Sequence, residues 1–508
     1  MHRRQIADAS SLGMSRKEDA PVFLDSSQGN RDSTALVLPD RTELSYRELA
    51  RLASAAARVF GGRKRLVTVF GGRDLGTVAA YLGALAGHHV CAMLDAATPA
   101  DRQQDHLDRY QPDFVGYGTG GVPASAALSA AYARAGTLPG GAALFRRVRG
   151  AAGQPEISDE TALMLFTSGS TGSPQAVRLS RSNLTANAGS IAAALGIQPD
   201  DRGITSLPLH YCYGLSVLNS HLWAGASVVL SEHSPVSMRF WRLASTAECT
   251  SLAGVPTVYR LLHRSGLDPG AVPSLRLLTQ AGACLEPDLI RHFAAAMERV
   301  GGRFIVMYGQ TEATARISWL PPELLASHLG SVGRPVPGGR IWIAGDHPGG
   351  PAVPDGVTGR VMYAGPNVML GYARSRADLA AGDTMQGVLD TGDRGYLRDG
   401  LLYLTGRASR MVKILGRRVD LDDVEATARR VGPAAVVGTP DERIIVYVDS
   451  DQDRFQPVRD QLARELRVPA NLIQLIRVAA LPVTPRGKVD YAALRSRAGD
   501  SCVPSPSG

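Results

Sequence analysis

The chain has 508 residues, of which 44% are hydrophobic and 20% charged, a composition typical of globular proteins and unlike that of disordered or fibrous chains. At about 100–200 residues per domain, this length predicts more than one structural unit. The formal net charge is +8, and 51 of the 55 cationic residues are arginines dispersed among acids. Because no dense basic tract is present, we interpret the excess as a solvated surface and not as a nucleic-acid-binding face. The four lysines are Lys17, Lys64, Lys413 and Lys488.

Targeting and redox signals are sparse. The segment 1–20 carries charges throughout and lacks the apolar core of a secretory signal, and no uninterrupted apolar stretch reaches about 18 residues. The prediction is a cytoplasmic protein without a membrane span. The five cysteines are scattered singly and form no CxxC pair, which argues against a disulfide framework and against a zinc site.

Helical and strand patterns alternate through the first part of the chain. Ser45 and Glu48 form a capping-box pattern at the start of an amphipathic helix, the residues 65–70 (RLVTVF) favour a strand, and 75–85 favour a second helix. Such alternation is typical of a parallel or mixed sheet flanked by helices. The stretches 116–122 and 135–143 are rich in glycine and small residues, and we interpret both as loops.

The same alternation continues from 157 to 407 and then gives way to a smaller unit. Strand-type runs occur at 163–167, 227–230, 275–279, 304–308 and 340–344. Beyond a charged stretch at 406–410, the pattern is strand, helix (423–430), strand (443–448) and helix (457–466). We therefore predict a large N-terminal domain at 1–408, a C-terminal domain at 409–501 and a frayed tail at 502–508.

A loop of small hydroxylated residues follows a buried strand. The apolar run Leu163–Phe166 leads directly into Thr167-Ser168-Gly169-Ser170-Thr171-Gly172. Glycines allow successive backbone N–H groups to turn inward as an anion nest, and the hydroxyls add further donors. The Walker pattern GxxxxGK[ST] is absent. The alternative is a flexible Ser/Gly linker, but such linkers do not normally start directly from an apolar strand, so we predict a phosphate-binding loop.

Three further motifs follow this loop in order: Tyr308–Glu312 (YGQTE), Leu389–Asp393 (LDTGD) and Thr484–Asp490 (TPRGKVD). Together they resemble the adenylate-forming (AMP-binding) superfamily of acyl-CoA synthetases, peptide-synthetase adenylation domains and firefly luciferase. The likeness extends from about Leu44 to Tyr491 and is strongest to free-standing acyl-CoA or carboxylic acid ligases. It implies an α/β fold, with a large N-terminal domain of flanked β-sheets, a small β subdomain and a small mobile α+β C-terminal domain.

The resemblance implies a nucleotide site at the carboxyl ends of strands, where open α/β sheets bind ligands. In this family Tyr308 would stack on adenine, Thr311 would contact the α-phosphate, Glu312 would help to hold Mg²⁺, and Asp393 would take the ribose hydroxyls. Carboxylate oxygens bind Mg²⁺ and accept hydrogen bonds from vicinal diols. Taken alone, each of these residues could instead be a solvent-exposed residue of a turn. The implied ATP-binding residues are Thr167, Ser168, Gly169, Ser170, Thr171, Gly172, Gly282, Ala283, Cys284, Tyr308, Gly309, Gln310, Thr311, Asp393 and Arg407.

The C-terminal domain would supply the catalytic lysine. In the family, the lysine at the position of Lys488 lies between the substrate carboxylate and the α-phosphate, where an ammonium offsets the repulsion of two anions. The alternative is an exposed turn lysine. Because 51 of the 55 cationic residues are arginines, a lysine at this position is weak independent support for a requirement for an amine there. By the same resemblance Ser409 is the hinge, and Lys413 and Gly416 belong to the thiol-acceptor face.

Three positions depart from the family pattern. Gln175 replaces the loop lysine that usually precedes glycine, Ser409 replaces a common hinge aspartate, and Arg181 stands where a histidine often follows the loop strand. We expect weaker ATP affinity or altered loop closure, and the departures leave open a catalytically weak ATP-binding paralogue. The retained catalytic and binding residues, Glu312 and Lys488 among them, argue against that alternative.

The segment 207–215 resembles the acyl-pocket segment of the family. Its pocket residues would be His210, Tyr211, Cys212, Tyr213 and Gly214, although aromatic residues there could equally be core packing. Amino-acid-activating members place an aspartate nearby for the α-ammonium, and none is evident here, so an acid without an α-amino group is expected. The segments 330–337 and 365–372 also match the family and are interpreted as parts of the small β subdomain.

The implied reaction has two halves. A carboxylate first attacks the α-phosphate of ATP with Mg²⁺, Thr311, Glu312 and Lys488 assisting, which yields an acyl-adenylate and pyrophosphate. The C-terminal domain then rotates so that a thiol can attack the mixed anhydride. Because no carrier domain follows before Gly508, we expect a free-standing ligase that uses coenzyme A. The phosphopantetheine of a separate acyl-carrier protein is the alternative acceptor.

Overall fold

The computed structural model describes residues 23, 31–119, 122, 128, 131–149, 156–167, 175–345, 350–407, 410–414, 417–439, 443–449, 455–466, 468–484 and 488–500. The α-helices in these ranges are α1 (Tyr46–Phe60), α2 (Leu75–Ala86), α3 (Ala100–Tyr110), α4 (Arg181–Leu195), α5 (Cys212–Trp223), α6 (Met238–Thr246), α7 (Pro256–Arg264), α8 (Pro287–Glu298), α9 (Leu421–Ala428), α10 (Phe455–Leu466) and α11 (Tyr491–Asp500).

The strands before residue 300 are β1 (Thr34–Val37), β2 (Glu43–Ser45), β3 (Leu66–Gly71), β4 (Val90–Asp95), β5 (Phe114–Tyr117), β6 (Tyr132–Thr137), β7 (Ala143–Arg147), β8 (Thr161–Thr167), β9 (Gln175–Ser180), β10 (Arg202–Ile204), β11 (Ser227–Val229), β12 (Ser251–Gly254) and β13 (Leu277–Gln280). The later strands are β14 (Arg303–Tyr308), β15 (Ser318–Trp319), β16 (Arg334–Pro335), β17 (Arg340–Ala344), β18 (Gly359–Ala364), β19 (Gly371–Ala373), β20 (Val388–Arg398), β21 (Leu401–Arg407), β22 (Met411–Ile414), β23 (Arg417–Asp420), β24 (Ala434–Gly438), β25 (Ile444–Val448) and β26 (Ile473–Arg477).

Two large mixed sheets form the N-terminal part. One has the strand order β16-β15-β14-β13-β12-β10-β11-β1-β2, and the other has the order β19-β9-β8-β4-β3-β5-β7-β6. Their interior pairs, such as β13 with β14 and β3 with β4, are parallel. A single apolar cluster contains buried residues of both sheets and of helices α1, α2, α4 and α5, so these helices join the two sheets through a shared core.

Smaller sheets complete the fold. The antiparallel sheet β17-β18-β20-β21 forms a compact β subdomain, and the C-terminal part contains the pair β22-β23 and the sheet β24-β25-β26. Helices α9 and α10 share an apolar cluster with β24 and β25, and α11 packs on the opposite set of side chains. This is the predicted α/β architecture, and the prediction of fold class is confirmed.

The local prediction at Ser45 is also confirmed. Helix α1 begins after Ser45, whose side chain accepts from the backbone N–H of Glu48, while the Glu48 carboxylate accepts from the backbone N–H of Ser45. Both partners lie within one turn of the helix, so neighbouring residues alone determine this start.

Two segments were interpreted wrongly, and two others correctly only in part. Parts of the two predicted loops, 116–122 and 135–143, belong to β5, β6 and β7 at one edge of the second sheet. The segments 330–337 and 365–372 contribute β16 and β19 to the edges of the two large sheets, although Gly333 also bridges Leu402 in β21 of the β subdomain. Short edge strands form by pairing with another strand, so their own residues carry little strand signal.

The buried histidine His106 predicts a pH-dependent stability. Burial lowers the pKa of its imidazole from 6.5 to about 3, and its Nε2 lies 2.9 Å from the hydroxyl of Thr68. The unfolded chain binds a proton below pH 6.5 and the folded chain does not, so stability falls as the pH drops from about 6.5 toward 3. We expect up to about 1.4 kcal/mol per pH unit from this residue. Urea unfolding of His106→Phe should show a shallower acid dependence than wild type, whereas the exposed-site control His263→Phe should not.

Candidate active site

Two predicted nucleotide residues from different sheets meet directly. Tyr308 ends β14 and is buried, and its hydroxyl donates a 2.5 Å hydrogen bond to Oδ2 of Asp393 in β20. Asp393 lies opposite Arg407 in the register of β20 and β21. The structure therefore brings the residue expected at adenine and the residue expected at ribose together, at the junction of the large sheet and the β subdomain.

A single 3₁₀ turn, Thr311–Ala313, follows β14 and carries two polar site residues. The hydroxyl of Thr311 donates to Sγ of Cys212 at 3.4 Å, and Oε1 of Glu312 accepts from the hydroxyl of Tyr372 at 3.0 Å. Burial, and next the charge of Glu312, raises the pKa of the Tyr372 phenol, so it stays a proton donor to this carboxylate.

The motif contains glycine at position 309 for a steric reason. A Cβ on Gly309 would lie 1.9 Å from the carbonyl oxygen of Ala315, because the chain turns back across it after the 3₁₀ turn. Any larger residue would push the turn outward, and with it Thr311 and Glu312. The glycine is thus required by a close approach of backbone to backbone.

The phosphate loop connects antiparallel strands. Thr167 ends β8, Gln175 begins β9, and the two residues pair in register, while Ser168–Gly172 lie outside the described residues. Strand β9 pairs on its other side with β19, where Tyr372 lies opposite Val177. Through Tyr372, Glu312 is therefore linked to the strand that leaves the loop. This supports the prediction that the magnesium ligand and the phosphate loop share one site.

The segment 282–284 lies beside the acyl-pocket segment. Gly282 has φ +99°, and a Cβ there would approach the hydroxyl of Tyr211 to 2.9 Å. The carbonyl of Ala283 accepts from the side-chain amide of Gln280 at 2.7 Å, and Cys284 is exposed. This close packing of Gly282 on Tyr211 joins the predicted ATP-binding segment 282–284 to the predicted acyl pocket.

Helix α5 positions the predicted acyl-pocket residues. Tyr211 precedes the helix, Cys212 begins it, and a Cβ on Gly214 would lie 2.2 Å from the carbonyl of Pro208. Tyr213 is fully buried and donates to the carbonyl of Thr279 at 2.9 Å. His210 is buried with Nε2 3.7 Å from the carboxylate of Asp95.

A cavity of about 10 Å³, about the size of one water molecule, lies beside Cys212, Thr314 and Ala315. A more open cavity of about 390 Å³ is lined by Asp95 and His210 among others.

The residues of the C-terminal part are described only in part. Lys488 is exposed, its carbonyl accepts from the backbone N–H of Thr484 at 2.7 Å, and its neighbour Val489 forms a bridge with Val483. Lys413 lies opposite Arg418 in β22 and β23. Ser409 and Gly416 lie outside the described residues, so the hinge and acceptor-face assignments stay predictions, as does the domain boundary.

Sequence reasoning missed three residues at the site. Tyr372 was interpreted only as part of a structural segment, Asn367 received no role, and Arg316 was not noticed although it follows the YGQTE motif by four residues. Asn367 donates to the carbonyls of Ala313 and Arg316, both at 2.9 Å. A search of the residues after a site motif for an unexpected charge could have found Arg316.

Within the described residues no group of three or more His, Cys, Asp or Glu side chains is arranged to hold a metal. Glu312 is the one protein carboxylate predicted to bind Mg²⁺. Such a site is common for Mg²⁺, because the ion usually keeps several water ligands and binds substrate phosphates in addition to one or two carboxylates. In the same part of the chain, no helix is both long and apolar enough to cross a membrane.

Comparisons with known proteins identify the family. Residues 23–373 match the model of the AMP-binding enzyme family. Sulfoacetate–CoA ligase of Cupriavidus necator is 34% identical over 68% of this chain and 68% of its own length. Phenyloxazoline synthase MbtB of a Mycobacterium species is 30% identical over 97% of this chain, which spans only 43% of that protein.

A solved structure shares the fold. O-succinylbenzoate CoA synthetase (MenE) from Bacillus subtilis, in complex with its acyl-adenylate intermediate, superposes with a TM-score of 0.73 at 22% identity, over 94% of this chain and 98% of that one. The resemblance inferred from the motifs is confirmed: the chain belongs to the AMP-binding enzyme family.

Proposed function

We propose that this protein is an ATP-dependent, AMP-forming acid–thiol ligase of the acyl-CoA synthetase type. The observation that carries the proposal is the contact between Tyr308 and Asp393 beside Thr311 and Glu312, the residues expected to meet adenine, ribose and phosphate. The activity named for the Cupriavidus relative, formation of a CoA thioester, supports the same reaction class.

In the first half-reaction a carboxylate oxygen attacks the α-phosphate of ATP, and the bond to the β-phosphate breaks to release pyrophosphate. Both reactants are anionic, so positive charge is needed where they meet. Glu312 would hold Mg²⁺, which neutralises phosphate charge, and Thr311 would donate to the α-phosphate. Lys488 would bring its ammonium group between the two anions.

In the second half-reaction a thiol attacks the acyl carbon of the mixed anhydride and AMP leaves. AMP is a far better leaving group than the oxide that the free carboxylate would have to expel, so activation makes thioester formation accessible. Rotation about the hinge at Ser409 would withdraw Lys488 and present the face that contains Lys413 and Gly416.

The acid is proposed to be small and to lack an α-amino group. Tyr211, Cys212 and Tyr213 offer no carboxylate for an α-ammonium. Sulfoacetate, named for the Cupriavidus ligase, also lacks an amino group.

Coenzyme A is the proposed thiol acceptor. The proposed location of the protein is the cytoplasm. A carrier-bound phosphopantetheine is the second candidate, because the match to the phenyloxazoline synthase extends over 97% of this chain, whereas the match to the CoA ligase covers 68%. The acceptor is settled by offering purified protein, ATP and acid with coenzyme A or with phosphopantetheinylated carrier proteins.

The activity is tested by pyrophosphate exchange over a panel of carboxylic and amino acids. We expect exchange with small acids that lack an amino group, and thioester formation when coenzyme A is added. ATP binding without exchange for any acid would instead establish the catalytically weak paralogue, and exchange confined to amino acids would refute the proposed substrate class.

A further inference from the structure

Arg316 is a buried cation that meets no acidic side chain among the residues that the structure describes. Three arginines have buried side chains in this part of the chain: Arg178, Arg316 and Arg376. Arg178 donates to four backbone carbonyls, including those of Leu370 and Gly382, and Arg376 pairs with Asp113 at 2.9 Å. Both are satisfied as structural arginines normally are.

The surroundings of Arg316 are different. Its guanidinium carbon lies 3.6 Å from the centre of the Tyr213 ring, and its Nε donates to Sδ of Met307 at 3.3 Å. Within the described residues, no carboxylate lies within 4.0 Å of it and no backbone carbonyl accepts from its side chain. The guanidinium also interacts with the phenol of Tyr213, but neither this neutral group nor stacking on its ring neutralises the cation, so the charge remains for an anionic ligand.

The backbone of Arg316 is held rigidly. Its carbonyl accepts from the side-chain amides of Asn187 in α4 and of Asn367, at 3.1 and 2.9 Å, and its N–H donates to Oδ1 of Asn187 at 3.3 Å. Asn367 is itself oriented by the hydroxyl of Tyr363 at 2.7 Å. Three buried polar side chains thus fix the backbone from which the charged side chain extends, which is how a protein prepares a binding group before its ligand arrives.

The depth of the guanidinium indicates which part of a substrate it would meet. Its contact Met307 is one residue before the end of β14, and its ring partner Tyr213 is anchored at Thr279, one residue before the end of β13. Each residue of a strand spans about 3.3 Å. The charge therefore lies about one residue deeper than Tyr308, while Thr311 marks the outer, reacting end.

We propose that Arg316 binds a second acidic group of the acyl substrate, at the end away from the carboxylate that is activated. The preferred acid is thus short and carries two anionic groups, the second being a carboxylate or a sulfonate, either of which matches the planar donor pattern of a guanidinium. The inference rests on the proposed function and names the substrate class of the same site.

The test compares acids that differ only in the second group. AMP formation is measured with malonate against malonamate and with succinate against succinamate, with sulfoacetate as the sulfonate arm. We expect wild type to prefer each diacid to its amide by about 100-fold or more in kcat/KM, because a buried charge left without its partner disfavours the neutral analogue. Arg316→Met should remove most of this preference, chiefly by raising KM for the diacids, and Arg316→Lys should keep part of it.

Arg334→Met is the matched control, because Arg334 also stacks on an aromatic ring, that of Trp319 at 5.1 Å, but is exposed. It should leave the acid preference unchanged. ATP binding by each variant reports folding. Should Arg316→Met not fold, the wild-type preference and a thermal shift with diacid in the presence of ATP still decide the question.

The outcomes separate the two proposals. If no acid supports AMP formation, the proposed function fails. If acids are activated but amides and diacids serve equally, or if Arg316→Met lowers activity with monoacids and diacids to the same extent, the ligase stands and the role of Arg316 is refuted.

Discussion

Lys488→Ala is expected to lower the rate of adenylation by about 100-fold or more, with ATP affinity little changed. An ammonium that neutralises charge developing between two anions acts in the transition state, and removal of one such group from a preorganised site typically costs about 10²–10³ in rate. The lysine lies in an exposed turn of the C-terminal part, so its removal should not unfold the protein. Pyrophosphate exchange and ATP binding measured on the same preparation test this expectation.

Two further variants make the test specific to an amine at this position. Lys488→Arg should stay impaired, because the guanidinium is larger and planar and cannot replace a compact point charge. Arg495→Ala removes an exposed cation of α11 in the same unit and should have no effect. All three variants should still convert a presynthesised acyl-adenylate into thioester. Near-normal exchange by Lys488→Ala, or full rescue by arginine, would contradict the assigned role.

Asp393→Asn is expected to weaken ATP binding by about 10-fold or more. Its carboxylate is buried, accepts from Tyr308, and would accept from the ribose hydroxyls, whereas an amide offers a single acceptor oxygen. Hydrogen bonds to charged groups contribute about 1.5–3 kcal/mol each, which corresponds to this loss or more.

The sugar contact can be isolated with 2′-deoxy-ATP. Wild type should discriminate against this nucleotide, and Asp393→Asn should lose much of the discrimination. Asp390→Asn is the control: this residue lies in the same strand but pairs with Arg360, with an Oδ2 to Nε distance of 2.8 Å. Equal discrimination by wild type and Asp393→Asn would show that the carboxylate does not take the ribose.

Tyr308→Phe separates adenine stacking from the hydrogen bond. The variant keeps a ring for the base and removes the hydroxyl that contacts Asp393, so ATP affinity should change less than in Asp393→Asn. The comparison is informative because the structure joins these two residues across 85 positions of chain.

Residues that are close together in the sequence were sufficient to predict many of the helices and strands. The cap of α1 depends on Ser45 and Glu48 within one turn, and the apolar run that precedes the phosphate loop forms β8 because it is buried on both faces. The edge strands β6, β16 and β19 could not be read from their residues. They exist because another strand, β7, β15 or the distant β9, offers unpaired N–H and C=O groups, and pairing overrides weak local preference.

What the sequence by itself determined is the family and the order of its motifs, since glycines, hydroxyls and acids at fixed spacing encode local turns and donor sets. Only the tertiary structure decided which of those groups meet. Tyr308 reaches Asp393, Glu312 reaches Tyr372, and Arg316 is enclosed against Tyr213 with no acid beside it among the described residues. Such contacts depend on how sheets and helices pack, and packing joins residues whose sequence separation carries no local signal. The composition pointed to four lysines, whereas the fold reveals a buried arginine as the charge that selects the substrate we propose.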